Sequence, residues 1–206
     1  MRHLNPRHQL LVEMCPDVPC IIDVGADHGY VAERLGAIAS ERMPHRRGTT
    51  KTPWVVADGL KPYRYADAAV IAGMGAAKII DIIKHAPKIK TLILHATDNA
   101  SSLRQYLAAS GWRICDERLA PEAKAFAEVL RVERGEEVSR HLDLEFGPIL
   151  IRGMSPMHHD HFSHLQEYWA RVARWTHDHD LQRHGDAIER VHYLQQLLDT
   201  YPLKST

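Results

Sequence analysis

Four short segments of this 206-residue chain place acids and glycines where a chain would turn. The first is Asp23-Val24-Gly25-Ala26-Asp27-His28-Gly29. Glycine gives a turn without side-chain bulk, so a ligand can lie against the backbone at Gly25. Carboxylates at Asp23 and Asp27 suit a cationic amino group, whereas a pyrophosphate prefers backbone donors with no acid nearby. Glu41 stands at the end of the next apolar run, where an acid can accept from both hydroxyls of a ribose. Asp58-Gly59 comes third: the acid can reach an exocyclic amino group on a flat ring, and the glycine lets that ring approach the backbone. Ile71-Ala72-Gly73-Met74-Gly75 is fourth, and its glycines leave an open floor where a donor and an acceptor group could meet. Each segment alone has a plainer reading: a turn with surface acids, a solvated Glu, an Asp-Gly turn, a tight strand-to-helix contact.

The elements between these segments give them a common purpose. Asn5 and Pro6 open a helix that runs to Met14, with Asn5 as its cap. Cys20 to Val24 is a buried strand, and a helix begins at Tyr30. Ala37 to Ala39, Trp54 to Ala57, Ala68 to Ala72 and Thr91 to His95 are four more strands. Ala76 to His85 and Ser101 to Ser110 read as helices, with Ile79, Ile80, Ile82 and Ile83 on the inner side of the first. Trp112 to Cys115 and Ala127 to Val132 form an antiparallel pair that closes the sheet. The fold class is therefore α/β, a Rossmann-like, mostly parallel sheet, and the four segments fall at the ends of successive strands in one cleft. An ammonium site, a ribose site and a ring site in that order describe S-adenosylmethionine. NAD is disfavoured because no Gly-x-Gly-x-x-Gly turn is present.

Beyond Ser155 two helical stripes appear, Phe162-Leu165-Trp169-Val172 and Ile188-Val191-Leu194-Leu198. They predict a helical hairpin broken at Gly185, with Asp186 and Glu189 as a capping box for its second helix. The expected domains are 1–153, the cofactor-binding domain, and 154–206, the hairpin.

Composition narrows the class. Lys and Arg together number 26 and Asp and Glu 26, so no global field draws nucleic acid and any RNA contact must be a local patch. Three cysteines, Cys15, Cys20 and Cys115, fit no zinc spacing and read as reduced thiols. With neither a leader-like nor a membrane-length apolar run, the chain is expected to be cytoplasmic, with no membrane partner. Seven of its histidines lie between His158 and His184. They are crowded at a helix start without a familiar ligand set, so no metal is expected.

With those residues in place the sequence resembles the bacterial tRNA (adenine-22-N1)-methyltransferase family, a group of class I enzymes. The resemblance rests on Asp23-Val-Gly-Ala-Asp-His-Gly-Tyr30, Asp58-Gly-Leu60 and Ile71-Ala-Gly-Met-Gly75. Leu103-Arg104, Gly111-Trp112 and Phe146-Gly147-Pro148 follow in the family's order, from about Leu4 to Leu150. It implies transfer of a methyl group from S-adenosylmethionine to N1 of an adenine in tRNA. It assigns Asp23, Gly25, Asp27 and His28 to the methionine end, Glu41 to the ribose, and Asp58 and Gly59 to the adenine. Ala72, Gly73, Met74 and Gly75 border the transfer point, and Asp27 or His28 could take a proton afterwards. Arg46 and Arg47, within the basic segment from Arg42 to Lys51, and Asn99 are expected to meet RNA.

The chain departs from the family in three places, one being the family's Tyr-Glu near the later strand, which stands here as Ala127-Glu128. The segment between Glu41 and Asp58 has room for a loop and a strand but not for the helix the family carries there. The family's Gln-Pro-Asn after the fifth strand is replaced by His95-Ala96-Thr97-Asp98-Asn99. Two other readings therefore stay open: a methyltransferase with another substrate, and a non-catalytic relative that binds S-adenosylmethionine or RNA. The hairpin is expected to clamp tRNA or to pack as a helix pair, and the chain to be a monomer or a homodimer through those helices.

Overall fold

A computed structural model describes residues 3–46, 48–86, 88–123 and 125–201. Arg47, named above as an RNA contact, lies outside the described residues. The chain divides into two compact units, Met1–Ser139 and Arg140–Thr206.

The first unit is built on one seven-stranded sheet in the order β3-β2-β1-β4-β5-β7-β6. Its strands are β1 (Ile21–Val24), β2 (Ile38–Glu41), β3 (Trp54–Val56), β4 (Tyr65–Met74), β5 (Lys88–Ala96), β6 (Trp112–Pro121) and β7 (Phe126–Arg134). The first five are parallel, and β7 enters antiparallel between β5 and β6. The order reverses at β1, where the chain leaves for β2 on one side and returns to β4 on the other. The strand ends splay there and open a crevice, the usual ligand position in such sheets. Ala68, Ala69, Val70 and Ile71 of β4 and Leu92, Ile93 and Leu94 of β5 are wholly buried, as strands covered on both faces require.

Helix α1 (Pro6–Met14) is capped by Asn5, whose side chain accepts from the His8 N–H, and it lays Leu10, Leu11 and Met14 against Val70, Ile93 and Val129. Helices α2 (Tyr30–Leu35), α3 (Ala76–Lys84) and α4 (Ala100–Ala109) follow β1, β4 and β5. On α3, Ile79, Ile82 and Ile83 are buried and Ile80 is only half-buried, so the apolar face is narrower than the run of isoleucines implied. The closing strand pair is longer than expected, because cross-strand pairing extends from Trp112↔Arg134 to Pro121↔Phe126. Among the described residues between β2 and β3 there is one 3-10 turn, Pro44–Arg46, and no α-helix.

The second unit begins earlier than residue 154. Helices α5 (His141–Phe146) and α6 (Pro148–Arg152) join the hairpin helices α7 (Pro156–Thr176) and α8 (Leu181–Thr200). Side chains decide this boundary. Phe146 stacks on Tyr193 with ring centroids 5.5 Å apart, Tyr193 donates to Asp143 at 2.6 Å, and Arg190 donates to Glu145. The hairpin turn is also earlier than expected. Asp180, not Asp186, caps α8 by accepting from the Arg183 N–H at 3.0 Å, and Gly185 lies inside the helix. A glycine there costs about 1 kcal/mol, which the buried face of Ala187, Leu194, Leu197 and Leu198 offsets. Among the described residues no helix is long and apolar enough to cross a membrane. None of them form a group of three His, Cys, Asp or Glu side chains that could hold a metal.

Candidate active site

A cleft of about 460 Å³ runs over the C-terminal ends of β1, β2 and β4. Asp23, Gly25, Asp27 and His28 line it from the turn after β1, Glu41 from β2, Asp58 and Gly59 from the segment after β3, and Ala72, Gly73 and Met74 from β4. The four segments that looked coherent in the sequence therefore meet in one place.

The turn after β1 is held in shape by left-handed backbone. Gly25 has φ +71° and Gly29 +74°, and Asp27, a non-glycine, has +47°. The Gly25 N–H donates to the Ser40 carbonyl at 2.7 Å, tying the turn to β2. A Cβ at Gly25 would meet the mobile end of the Met74 side chain, so it is chiefly the positive φ that calls for glycine there. Asp23 is buried, and its Oδ2 accepts from the Ala32 N–H at 3.1 Å, satisfying an open donor in the first turn of α2. Burial pushes its carboxyl up to about 7, against the opposing pull of that hydrogen bond. A carboxylate desolvated this far calls for a cation. Asp27 Oδ2 and His28 Nε2 lie 3.6 Å apart at the mouth of the cleft, both more than half exposed.

Glu41 is buried, and its Oε1 accepts from the Met43 N–H at 3.0 Å, which aims the carboxylate across the end of β2. Asp58 pairs with Lys61, and that hydrogen bond and charge hold its carboxyl below the usual range. Gly59 faces α3: a Cβ there would sit 3.2 Å from Ile82 Cγ1, so glycine leaves a thin slot between backbone and Ile82. On β4 the register slips between Ala72 and Met74, with Gly73 at φ +72°, and this bulge turns Met74 towards Gly25.

The remaining expected residues fall elsewhere. Gly75 is the N-cap of α3. The Ala76 N–H beside it donates to Asp98 at 2.8 Å, so Gly75 supports the floor without lining the cleft. Asn99 caps α4 by accepting from the Ser102 N–H and does not line the cleft either. Arg46 does line it, together with Arg42 and Met43. Their loop folds back on the first turn. A Cβ at Gly48 would strike the His28 backbone, and one at Gly29 would lie 2.6 Å from Thr50 Oγ1 and 2.7 Å from the Trp54 ring. The loop thus packs on the turn after β1 and closes that edge of the cleft. Sequence reasoning missed Arg7, His8 and Leu11, which reach the cleft from α1, and Lys78 and Ile82 from α3. Their apolar neighbours read simply as helix core.

The donor set fits S-adenosylmethionine: a desolvated acid for the ammonium, a buried acid for the ribose, and an acid and a slot for the adenine, in that order along the cleft. Comparison with known proteins agrees. The family profile described as tRNA (adenine(22)-N(1))-methyltransferase matches residues 36–195. The chain belongs to that family. Like its family, this methyltransferase uses S-adenosylmethionine as methyl donor. It is 30% identical to a Mycoplasma pneumoniae protein provisionally named a tRNA methyltransferase, over 63% of this chain and 71% of the relative. It is 25% identical to the tRNA (adenine(22)-N(1))-methyltransferase of Bacillus subtilis, over 95% of this chain and 97% of the relative. In fold, the methyltransferase is similar to the solved structure of M. capricolum TrmK in complex with S-adenosyl-homocysteine. That likeness has a TM-score of 0.80 at 16% identity, covering 95% of this chain and 98% of that one.

Proposed function

We propose that this methyltransferase acts in the cytoplasm on N1 of an adenine in tRNA, adenine 22 being the position in its family's description. The observation that carries the reading is the single cleft in which Asp23, Glu41 and Asp58-Gly59 lead in order to the Gly73-Met74 floor. When bound, S-adenosylmethionine supplies an electrophilic methyl group. Asp23 faces its ammonium, Glu41 its ribose hydroxyls, and Asp58 and Gly59 its adenine. The bulge at Gly73 leaves room for the target base beside Met74. N1 of adenine is itself a nucleophile, so the protein's work is mostly to align two reactants and exclude water. Asp27 and His28, exposed at the cleft mouth, are placed to meet the entering base or to take up a proton shed by the product. Arg46 and its neighbour Arg42 offer the backbone phosphates a local positive edge despite the neutral whole.

Titration calorimetry with S-adenosylmethionine and with NAD, followed by methyl transfer to unmodified tRNA, tests this reading. Micromolar S-adenosylmethionine binding that is lost in Asp23→Ala, no NAD binding, and a methyl group mapped to adenine N1 are expected. Binding without transfer to any tRNA would sink the enzymatic reading and leave a binding protein.

A further inference from the structure

His8 lies in the first turn of α1, its backbone N–H fixed at 2.8 Å to the Asn5 side chain. It is half-buried and lines the same cleft as Gly73 and Met74. Four groups face it from four places: Arg7 on α1, His95 at the end of β5, Asp27 in the turn after β1, and Glu122 just beyond β6. These groups are themselves connected. Arg7 Nη1 is 2.7 Å from Glu122 Oε1 and 3.5 Å from His95 Nε2, while His95 Nδ1 is 3.2 Å from the Glu128 carbonyl. A carbonyl can only accept, so His95 carries its proton on Nδ1 and turns an acceptor nitrogen towards Arg7. The arrangement keeps His95 uncharged and Arg7 paired. Among the described residues none hydrogen-bonds the His8 ring.

We propose that His8 is a substrate-positioning residue of the methyl-transfer site, its neutral imidazole accepting a hydrogen bond from the exocyclic amino group of the target adenine. The proposal rests on the methyltransferase reading above. The chemistry explains why a neutral acceptor is wanted there. The N1 lone pair forms the new bond to the methyl carbon, and the carbon–sulfur bond breaks with its pair left on sulfur. The positive charge passes from the sulfonium to the adenine ring, and no proton has to move in that step. As that charge grows the exocyclic N–H becomes a stronger donor, so a bond to a neutral nitrogen tightens in the transition state. An imidazolium would have no free lone pair and would repel the forming cation. Burial, then Arg7, hold the His8 pKa below its ordinary value, outweighing Asp27 and Glu122, so the ring is neutral where tRNA is methylated.

The test uses the full chain and unmodified tRNA at saturating S-adenosylmethionine. His8→Ala is expected to lower kcat by about tenfold to a hundredfold with the S-adenosylmethionine Kd within about threefold of the parent, which also shows that the variant is folded. His8→Asn, which keeps an acceptor, should recover most of that loss. The part of the parent's acid limb that His8 contributes, expected below the ordinary histidine range, should be lost in His8→Asn; any limb from Asp23 is common to both proteins, so the difference isolates His8. Unchanged kcat in His8→Ala, or the same acid limb in the parent and in His8→Asn, would overturn the proposal while the methyltransferase reading stands. A parent protein that binds S-adenosylmethionine but transfers no methyl group overturns both.

Discussion

Asp23 shows how one residue carries both a cost and a function. Its buried carboxyl titrates near 7, well above an ordinary aspartate, because the first turn of α2 and the sheet exclude water from it. Between about pH 4 and pH 7 the unfolded chain therefore binds fewer protons at this group than the folded chain does. Stability drains away as pH rises through that window. The expected size is on the order of 4 kcal/mol at most, from about 1.4 kcal/mol per pKa unit. Asp23→Asn should thus gain thermal stability relative to the parent at pH 8 and gain little at pH 4, while binding S-adenosylmethionine poorly. Equal gains at both pH values in a melting series would show that burial does not set the titration. The cationic ligand should also reverse the effect by drawing the proton off. Calorimetry at pH 6.5 in two buffers of different ionisation heat should therefore report a proton released on binding.

Among the elements, α4 is anchored by charge in an otherwise apolar layer. Arg104 on α4 is buried and donates to Glu117 of β6 at 2.6 Å and to Glu128 of β7. The two carboxylates raise its pKa despite the desolvation. Removing the cation takes that counter-charge from both acids, so Arg104→Met is expected to cost about 3 to 5 kcal/mol in a denaturant titration. A loss under 1 kcal/mol would mean that water reaches the pair. The neighbouring Leu103-Arg104 was visible in the sequence as a family feature, but its two partners were not. The acids lie on strands whose alternation only says that they face one side or the other. The loop after β2 has a second expected outcome. Gly48→Ala places a methyl group against the His28 backbone, so it should lower S-adenosylmethionine affinity about tenfold through displacement of the loop, measured by calorimetry. Unchanged affinity would show that the loop is not part of the cofactor cover.

For the whole molecule, every residue lining the cleft precedes Ser139, while the hairpin helices belong to a unit that starts at Arg140. The second unit has its own ties, through Phe146, Asp143 and Glu145 to α8. A chain ended at residue 139 is therefore expected to bind S-adenosylmethionine within about threefold of the parent and to lose most methyl transfer to tRNA. Full transfer activity in the shortened chain would remove the second unit from substrate recognition. Zero net charge over the whole sequence is compatible with RNA as a partner because Arg42 and Arg46 stand together at the cleft edge.

The sequence by itself determined the strand-and-helix order of the first unit, the strand-end positions of Asp23, Glu41, Asp58 and Gly73, and the shortness of the segment between Glu41 and Asp58. Those are local properties: hydrophobic period, glycine at a turn, an acid after an apolar run. Only the tertiary structure decided that Asn99 and Gly75 serve helix ends and that the hairpin unit begins at Arg140. It alone showed that α1 brings Arg7 and His8 over the strand ends. Each of these depends on which distant group satisfies a hydrogen bond or fills a space. Asp98 beside α3, Tyr193 over Phe146 and His95 beneath Arg7 are such partners, and a spacing rule along one chain carries no information about them.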